Sequence, residues 1–248
     1  MSGREIAPGS AQRGSARFVI KLCGVRSAAD ARLCAEAGAD EVGVVFARKS
    51  KRCVSLDEAR AIRAALPAHV ALIGVFQDAP LAELLHASRE TGLAALQLHG
   101  ALPAELSPLQ LRAHLPLPLH RALQLHDAAS LEQLAAIAPE RDDREAQAPF
   151  ARILLDGPRG GSGEAFPWEL VRRARARWRG PFHLAGGLTP QVVAAAIRSA
   201  EPDGVDVSSG IEGSDGFKDP ALVRSFVDMA RAAGAELAAR RAAINEWG

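Results

Sequence analysis

One carboxylate and one thiol in this chain each close a short apolar run and each stand next to glycine, and these are the side chains best placed to move protons. The carboxylate is Asp156, in Ile153-Leu154-Leu155-Asp156-Gly157-Pro158-Arg159-Gly160-Gly161-Ser162-Gly163. A short apolar run before Gly and Pro suits a strand buried on both faces, which puts Asp156 at the strand's C-terminal tip. The glycines beyond it let backbone N–H groups approach an anion closely. An acid beside a phosphate cradle means proton chemistry on a phosphorylated small molecule; the same residues also suit a plain strand followed by a loop. The thiol is Cys23, in Lys21-Leu22-Cys23-Gly24. A cysteine serves as base or nucleophile only as thiolate, and its ordinary pKa is about 8.5. Lys21, two residues earlier and so on the same face of a strand, is the cation expected to lower it. The competing role for Cys23 is that of a small core hydrophobe, the role also expected of Cys34 in its Ala-rich helical stretch.

Arg52 ends the basic loop Arg48-Lys49-Ser50-Lys51-Arg52, which is either solvated surface or the source of one guanidinium that forks onto a substrate carboxylate. Gly186-Gly187 and Ser208-Ser209-Gly210 follow apolar runs as Gly160 to Gly163 do, so three glycine or serine loops are available to one anion. His99, before Gly100, suits either an acid–base role or a hydrogen-bonding wall, and Gln97 shares its face.

These residues need a scaffold, and the chain supplies a repeating one. Apolar runs occur at Phe18 to Cys23, Glu41 to Phe46, Val70 to Phe76, Ala94 to Leu98, Leu117 to Leu123, Arg152 to Asp156, Phe182 to Ala185 and Gly204 to Val207. Between them lie helical stretches at Ala28 to Ala37, Leu56 to Leu66, Leu81 to Thr91, Ala104 to His114, Leu131 to Ala138, Trp168 to Trp178, Pro190 to Ser199 and Pro220 to Ala233. Ser55, Asp78, Thr189 and Asp219 are expected helix caps, and Gly38 and Gly92 stand where helices should end. Eight strand–helix units in 248 residues point to an α/β fold of the (β/α)8 TIM-barrel type in a single domain. A doubly wound sheet is the competitor, and no Gly-x-Gly-x-x-Gly follows the first strand to support it. The expected division is a disordered tail over residues 1–16, the barrel over 17–235 and a helical extension or tail over 236–248, with Glu140 to Ala148 as a surface loop. A barrel builds its site at the strands' C-terminal ends, which here are Cys23, Phe46, Gln97, His99, Arg121, Asp156, Gly186 and Ser208, with Asp206 on the face of Ser208. The last strands are also where barrels often hold phosphate.

Composition narrows the partners. With 48% hydrophobic and 24% charged residues the chain is of the ordinary soluble class, and a net charge of +1 gives no reason to expect nucleic acid or a membrane surface. Cys23, Cys34 and Cys53 form no Cys-x-x-Cys pair, which argues against a disulfide framework and a zinc site and suits a reducing cytoplasm. Residues 1–16 lack the apolar core of a signal peptide or anchor.

Taken together, Lys21-Leu22-Cys23-Gly24, Ala37-Gly38-Ala39-Asp40, Lys49-Ser50-Lys51-Arg52, Gln97-Leu98-His99-Gly100, Leu154-Leu155-Asp156, Gly160-Gly161-Ser162-Gly163, Ala185-Gly186-Gly187-Leu188 and Asp206-Val207-Ser208-Ser209-Gly210 resemble the phosphoribosylanthranilate isomerase family, in its motif order. The resemblance implies the Amadori-type rearrangement of N-(5-phosphoribosyl)anthranilate to 1-(2-carboxyphenylamino)-1-deoxyribulose 5-phosphate in tryptophan biosynthesis, with no cofactor and no metal. It implies Asp156 as general acid, Cys23 as general base and Arg52 as holder of the anthranilate carboxylate. Further substrate contacts are expected from Gln97, His99, Asp206, Gly161, Gly186, Gly187, Ser208, Ser209 and Gly210. For Asp156 to donate a proton at neutral pH its pKa must be raised, which an apolar barrel mouth favours. The partner is then a phosphorylated small molecule, and the protein a monomer or homodimer. Cys53 stands where the family has an aromatic residue, and Ala47-Arg48 replaces an aromatic–proline pair, so the anthranilate wall departs from the family pattern. A dual-substrate relative would carry aspartate in place of Cys23 and a second phosphate loop in the first half. A metal or Schiff-base barrel enzyme would show a His/Asp ligand set or a lysine at a strand tip, and a non-catalytic barrel would lack Cys23 or Asp156.

Overall fold

Apolar runs too short for helices become parallel strands here, and each intervening stretch becomes the helix that returns the chain to the next strand. The computed structural model describes residues 17–125, 128–137, 148–157, 168–178 and 180–245. Its strands are β1 (Val19–Cys23), β2 (Glu41–Val45), β3 (Ala71–Gln77), β4 (Ala95–His99), β5 (Leu119–Gln124), β6 (Arg152–Asp156), β7 (Phe182–Ala185) and β8 (Gly204–Val207). Its helices are α1 (Ala28–Glu36), α2 (Leu56–Ala65), α3 (Leu81–Glu90), α4 (Pro108–His114), α5 (Ala128–Ile137), α6 (Trp168–Arg177), α7 (Pro190–Ala200) and α8 (Pro220–Asn245). The strands form a closed barrel in chain order, and β1 pairs with β8 through Val19 with Gly204, Lys21 with Asp206 and Leu22 with Val207. This is the (β/α)8 barrel that the alternation predicted. The expected tail, nearly all of the loop Glu140 to Ala148, and Gly160 to Gly163 lie outside the described residues.

Strand alternation makes two interiors. Outward-facing Ile20, Leu22, Val42, Val44, Leu72, Leu96, Ile153, Leu155, Val205 and Val207 pack against the helices in the main core. Each such side chain stabilises the fold by roughly 1.5–3 kcal/mol when fully buried. The inward face is unusually polar, with Lys21, Glu41, Gln97, His120, His183 and Asp206 all buried. Buried charges are costly unless paired. Here Arg152 Nη1 donates to both Glu41 carboxylate oxygens at 2.8 Å and lies 3.4 Å from His183 Nδ1, while Lys21 Nζ donates to Asp206 Oδ2 at 2.6 Å.

The helix signals hold in part: Thr189 sits at the N-cap of α7 but makes no side-chain cap hydrogen bond, α5 begins at Ala128 rather than Leu131, and other signals differ as follows. Ser55 and Glu58 form a capping box on α2, Asp219 Oδ1 accepts from the Ala221 and Leu222 amides at 2.8 and 2.9 Å, and Gly38 and Gly92 take φ of +96° and +65° after α1 and α3. Asp78 does not cap α3: it adopts a left-handed φ of 51°, and its Oδ1 accepts from Ala101 N at 2.6 Å, tying together the loops after β3 and β4. Helix α4 begins at Pro108 rather than Ala104, because Ser107 and Gln110 close a capping box there. Helix α8 continues past Ala233 to Asn245, and its Arg231 donates to the Phe18 carbonyl and to Asp40 Oδ2, both at 2.8 Å. Among the described residues no helix is long and apolar enough to cross a membrane.

Candidate active site

Strand β1 ends on Cys23, which is buried on the inward face with Val45 and Val75, and Ala47 packs against the three. Gly43 sits opposite on β2, and a Cβ there would lie 2.7 Å from Cys23 Sγ, so the glycine makes the space that the thiol fills. Burial pushes the Cys23 thiol above its ordinary value; Lys21 and Lys218 pull it down, but Asp206 opposes them and the net direction is upward. Lys21 does lower the thiol as expected, but burial outweighs it, so the expected net lowering does not result. Lys21 is ion-paired with Asp206, whose charge takes back part of its effect on the thiol. Burial alone would lower the Lys21 ammonium, yet Asp206, Cys23 and Glu41 together hold it above its ordinary value, so it stays a cation. The other carboxylate oxygen, Asp206 Oδ1, is buried with no hydrogen-bond partner among the described residues, a leftover acceptor at the barrel mouth.

Strand β6 ends on Asp156, half-buried and in register with Gln124 on β5 and Ala185 on β7. Leu154, one step earlier on the same face, packs with Ala122 and Ala185 in a small apolar cluster. The loops beyond are backbone against backbone. Gly186 has φ of +89° and Gly187 of +61°, and a Cβ on Gly186 would stand 2.5 Å from the Gly157 amide nitrogen and carbonyl oxygen. A Cβ on Gly210, in the short 3-10 helix Ser209–Ile211, would collide with the Leu188 carbonyl. Gly157, where the chain leaves β6, and the loops after β7 and β8 therefore stand close together; Gly160 to Gly163 lie outside the described residues.

Arg52 does turn inward over the mouth. Its aliphatic stem lies against Gly24, where φ is +76° and any Cβ would hit Arg52 Cδ and come within 2.8 Å of Ser208 Oγ. Its guanidinium is engaged bidentately by Glu212, with Nε to Oε1 at 2.6 Å and Nη2 to Oε2 at 2.7 Å. Glu212 also takes Lys218 Nζ at 3.2 Å, and Lys218 donates to the Ser208 carbonyl at 3.0 Å. Burial would raise the Glu212 carboxyl, but Arg52 and Lys218 hold it below the ordinary carboxylate range. Neither Glu212 nor Lys218 was singled out from the sequence. The only signal was their place just after Ser208-Ser209-Gly210 and just before the capped start of α8. A cleft of about 320 Å³ opens beside these residues, lined by Arg26, Lys51, Arg52, Ser209 and the turn Glu212 to Gly216; Cys23 and Asp156 do not line it.

Gln97 Nε2 and His99 Nε2 are 2.9 Å apart on the inward face of β4. Burial, with Lys21 and Arg121 nearby, lowers the His99 imidazole to about 4, so it is neutral and suits the hydrogen-bonding wall rather than a cationic role. Two strand-tip residues point elsewhere. Arg121 shares the outward face of Leu119 and Leu123 and donates to the Leu98 carbonyl at 3.0 Å and the Gly100 carbonyl at 2.6 Å. Phe46 stacks on Phe76 in the outer core, ring centroids 5.0 Å apart. Cys34 is fully buried, its thiol pushed by burial to about 12, as core packing requires. Among the described residues no cluster of His, Cys, Asp and Glu could hold a metal.

Comparison with known proteins gives a consistent result. Residues 20–229 match the family model for N-(5'-phosphoribosyl)anthranilate isomerase. The N-(5'-phosphoribosyl)anthranilate isomerase of Moorella thermoacetica is 40% identical over 215 residues, covering 86% of this chain and 90% of that protein. The crystal structure of phosphoribosylanthranilate isomerase from Thermotoga maritima superposes with a TM-score of 0.75 at 34% identity, over 87% of this chain and 99% of that one. A phosphoribosylanthranilate isomerase solved with reduced 1-(o-carboxyphenylamino)-1-deoxyribulose 5-phosphate superposes with a TM-score of 0.73 at 33% identity, over 87% and 99% of the two chains.

Proposed function

The chain belongs to the N-(5'-phosphoribosyl)anthranilate isomerase family and is such an isomerase in tryptophan biosynthesis; on that premise we propose that Cys23 is its general base and Asp156 its general acid. The observation that carries the assignment is their position, each closing an inward-facing strand of the same barrel, β1 and β6, with Gly43 leaving room for the thiol. Asp156 protonates the ribose ring oxygen, the C1–O bond breaks, and the anilino nitrogen supplies electrons to form an iminium. Cys23 as thiolate removes the proton from ribose C2, and the freed pair forms the C1–C2 double bond of an enolamine, which tautomerises to the ketone. Lys21, fixed by Asp206, keeps a positive charge beside the thiol and so stabilises the thiolate that burial disfavours.

The substrate's two anionic ends have matching groups. Arg52 offers a fork to the anthranilate carboxylate. Gly186, Gly187, Ser208, Ser209 and Gly210, with Gly161, are the phosphate cradle, which the close backbone approach of Gly157 and the loops after β7 and β8 supports. Gln97, neutral His99 and the unpaired Asp206 Oδ1 remain for the ribose hydroxyls. The test is loss of the proton carriers with shape kept. Cys23→Ser and Asp156→Asn should each lower kcat at least about 100-fold, the low end for general acid–base catalysis, on substrate generated in situ and followed by anthranilate fluorescence. Near-full activity in a Cys23→Ser protein with an unchanged circular dichroism spectrum would remove Cys23 from the mechanism.

A further inference from the structure

Glu212 and Lys218 have no part in the proton transfers, yet they are among the most enclosed charges of the barrel mouth, with side-chain exposures of 5% and 1%. Three facts define what they can do. Glu212 occupies one edge of the Arg52 guanidinium, the Nε and Nη2 side. A guanidinium has a second fork, formed by Nη1 and the other Nη2 hydrogen, and Nη1 makes no hydrogen bond to any described residue while Arg52 lines the open cleft. Glu212 is itself fixed by Lys218, which is fixed in turn by the Ser208 carbonyl at the start of the proposed phosphate loop.

We propose that Glu212 is the positioning residue of the carboxylate clamp. It holds the Arg52 fork in one plane so that the substrate carboxylate docks on the Nη1–Nη2 edge without displacing it, and Lys218 links this clamp to the phosphate loop. The charges agree with that division: Arg52 and Lys218 against Glu212 leave one positive charge, the complement of a single carboxylate. An arginine already ordered by Glu212 does not have to lose its side-chain freedom when the substrate arrives, so the contact is worth more to binding. The inference rests on the reading of Arg52 as the anthranilate clamp and adds the residue that makes the clamp rigid.

The test is a double-mutant cycle on Arg52 and Glu212, read as KM and kcat separately and repeated with the aniline analogue of the substrate, which lacks the carboxylate. Glu212→Ala should raise KM for the true substrate about 10- to 100-fold with kcat changed much less, the scale for loss of charge-assisted contacts. It should have no further effect in an Arg52→Ala background and little effect on the aniline analogue. Glu212→Gln, whose amide can accept from only one of the two N–H groups, should fall between, and it carries the same comparison if the alanine variant does not fold by circular dichroism. An equal loss with and without Arg52, or an equal loss on the aniline analogue, overturns the positioning role and leaves the clamp itself intact. If Arg52→Ala alone stays within about twofold of the parent in kcat/KM, Arg52 is not the clamp, and both the reading of the site and this inference fall.

Discussion

Acidification should unfold this barrel from its interior before it titrates the carboxylates. His120 and His183 sit inside the barrel, 6% and 1% exposed, near Arg152 and Lys21. Burial first, and those cations second, lower His120 to about 3 and His183 well below its ordinary value. In the unfolded chain both titrate near 6.5, so below that pH the unfolded state binds more protons and stability falls with pH. Between pH 7 and 5.5, a histidine that stays neutral when folded loses about 1.2 kcal/mol of stabilisation relative to the unfolded chain, so the two together account for roughly 2.5 kcal/mol. His99 is also lowered, but it is only half-buried at the strand tip, so it is left out of the sum. A loss of about 2.5 kcal/mol is a large part of the 5–15 kcal/mol typical of a domain. Urea midpoints at pH 7 and 5.5, at constant ionic strength, give the loss directly. Equal stability at the two pH values, or imidazole resonances of His120 and His183 that titrate above pH 5.5 in the folded protein, would refute the reasoning.

With the Cys23 thiol raised, the alkaline rise in kcat/KM should continue past the ordinary thiol value of about 8.5, and iodoacetamide inactivation should follow the same curve. A rise that levels off near pH 7 would mean that Lys21 outweighs burial after all. Gly24→Ala should cost about 1–2 kcal/mol of stability for its positive φ and should also raise KM, since its Cβ displaces the Arg52 stem; unchanged KM by steady-state kinetics would show that Arg52 has another route to its place. Inorganic phosphate should inhibit competitively through Gly186, Gly187 and Ser208 to Gly210. Purely noncompetitive inhibition would place the anion elsewhere.

The fold was legible because strand and helix runs alternate cleanly, and the parity of residues along a strand was enough to put Lys21, Cys23, Gln97, His99, Asp156, Asp206 and Ser208 on the inward face. Parity also shows why Arg121 failed as a rim residue, since it keeps phase with Leu119 and Leu123 of the outer core. What stayed hidden was pairing. The Arg52–Glu212 contact spans 160 residues, and Arg152–Glu41 spans 111, and no local pattern says which strand tips face each other across a barrel. The direction of the Cys23 shift was hidden because Lys21 alone suggests a lowered pKa, whereas burial in the closed barrel outweighs it and Asp206, 185 residues on, offsets part of its effect. Asp78 was misjudged because a short side chain that tolerates a left-handed backbone can serve a loop as readily as a helix end.

The Lys21–Asp206 contact lies on the seam where the first strand meets the last, and Arg52–Glu212 crosses the same seam. Strands β2 to β7 can zip neighbour to neighbour along the chain, each closing only the loop of one helix. The seam closes the longest loop in the molecule, so its pairing carries the largest loop-closure cost when made before the other strands are in place. The cation beside the thiol and the rigid guanidinium therefore both come into being with ring closure. A partly folded chain can hold all eight strands' sequence and most of their pairings while having no working centre. On the proposed assignment of Cys23 and Arg52, catalytic competence waits on completion of the barrel.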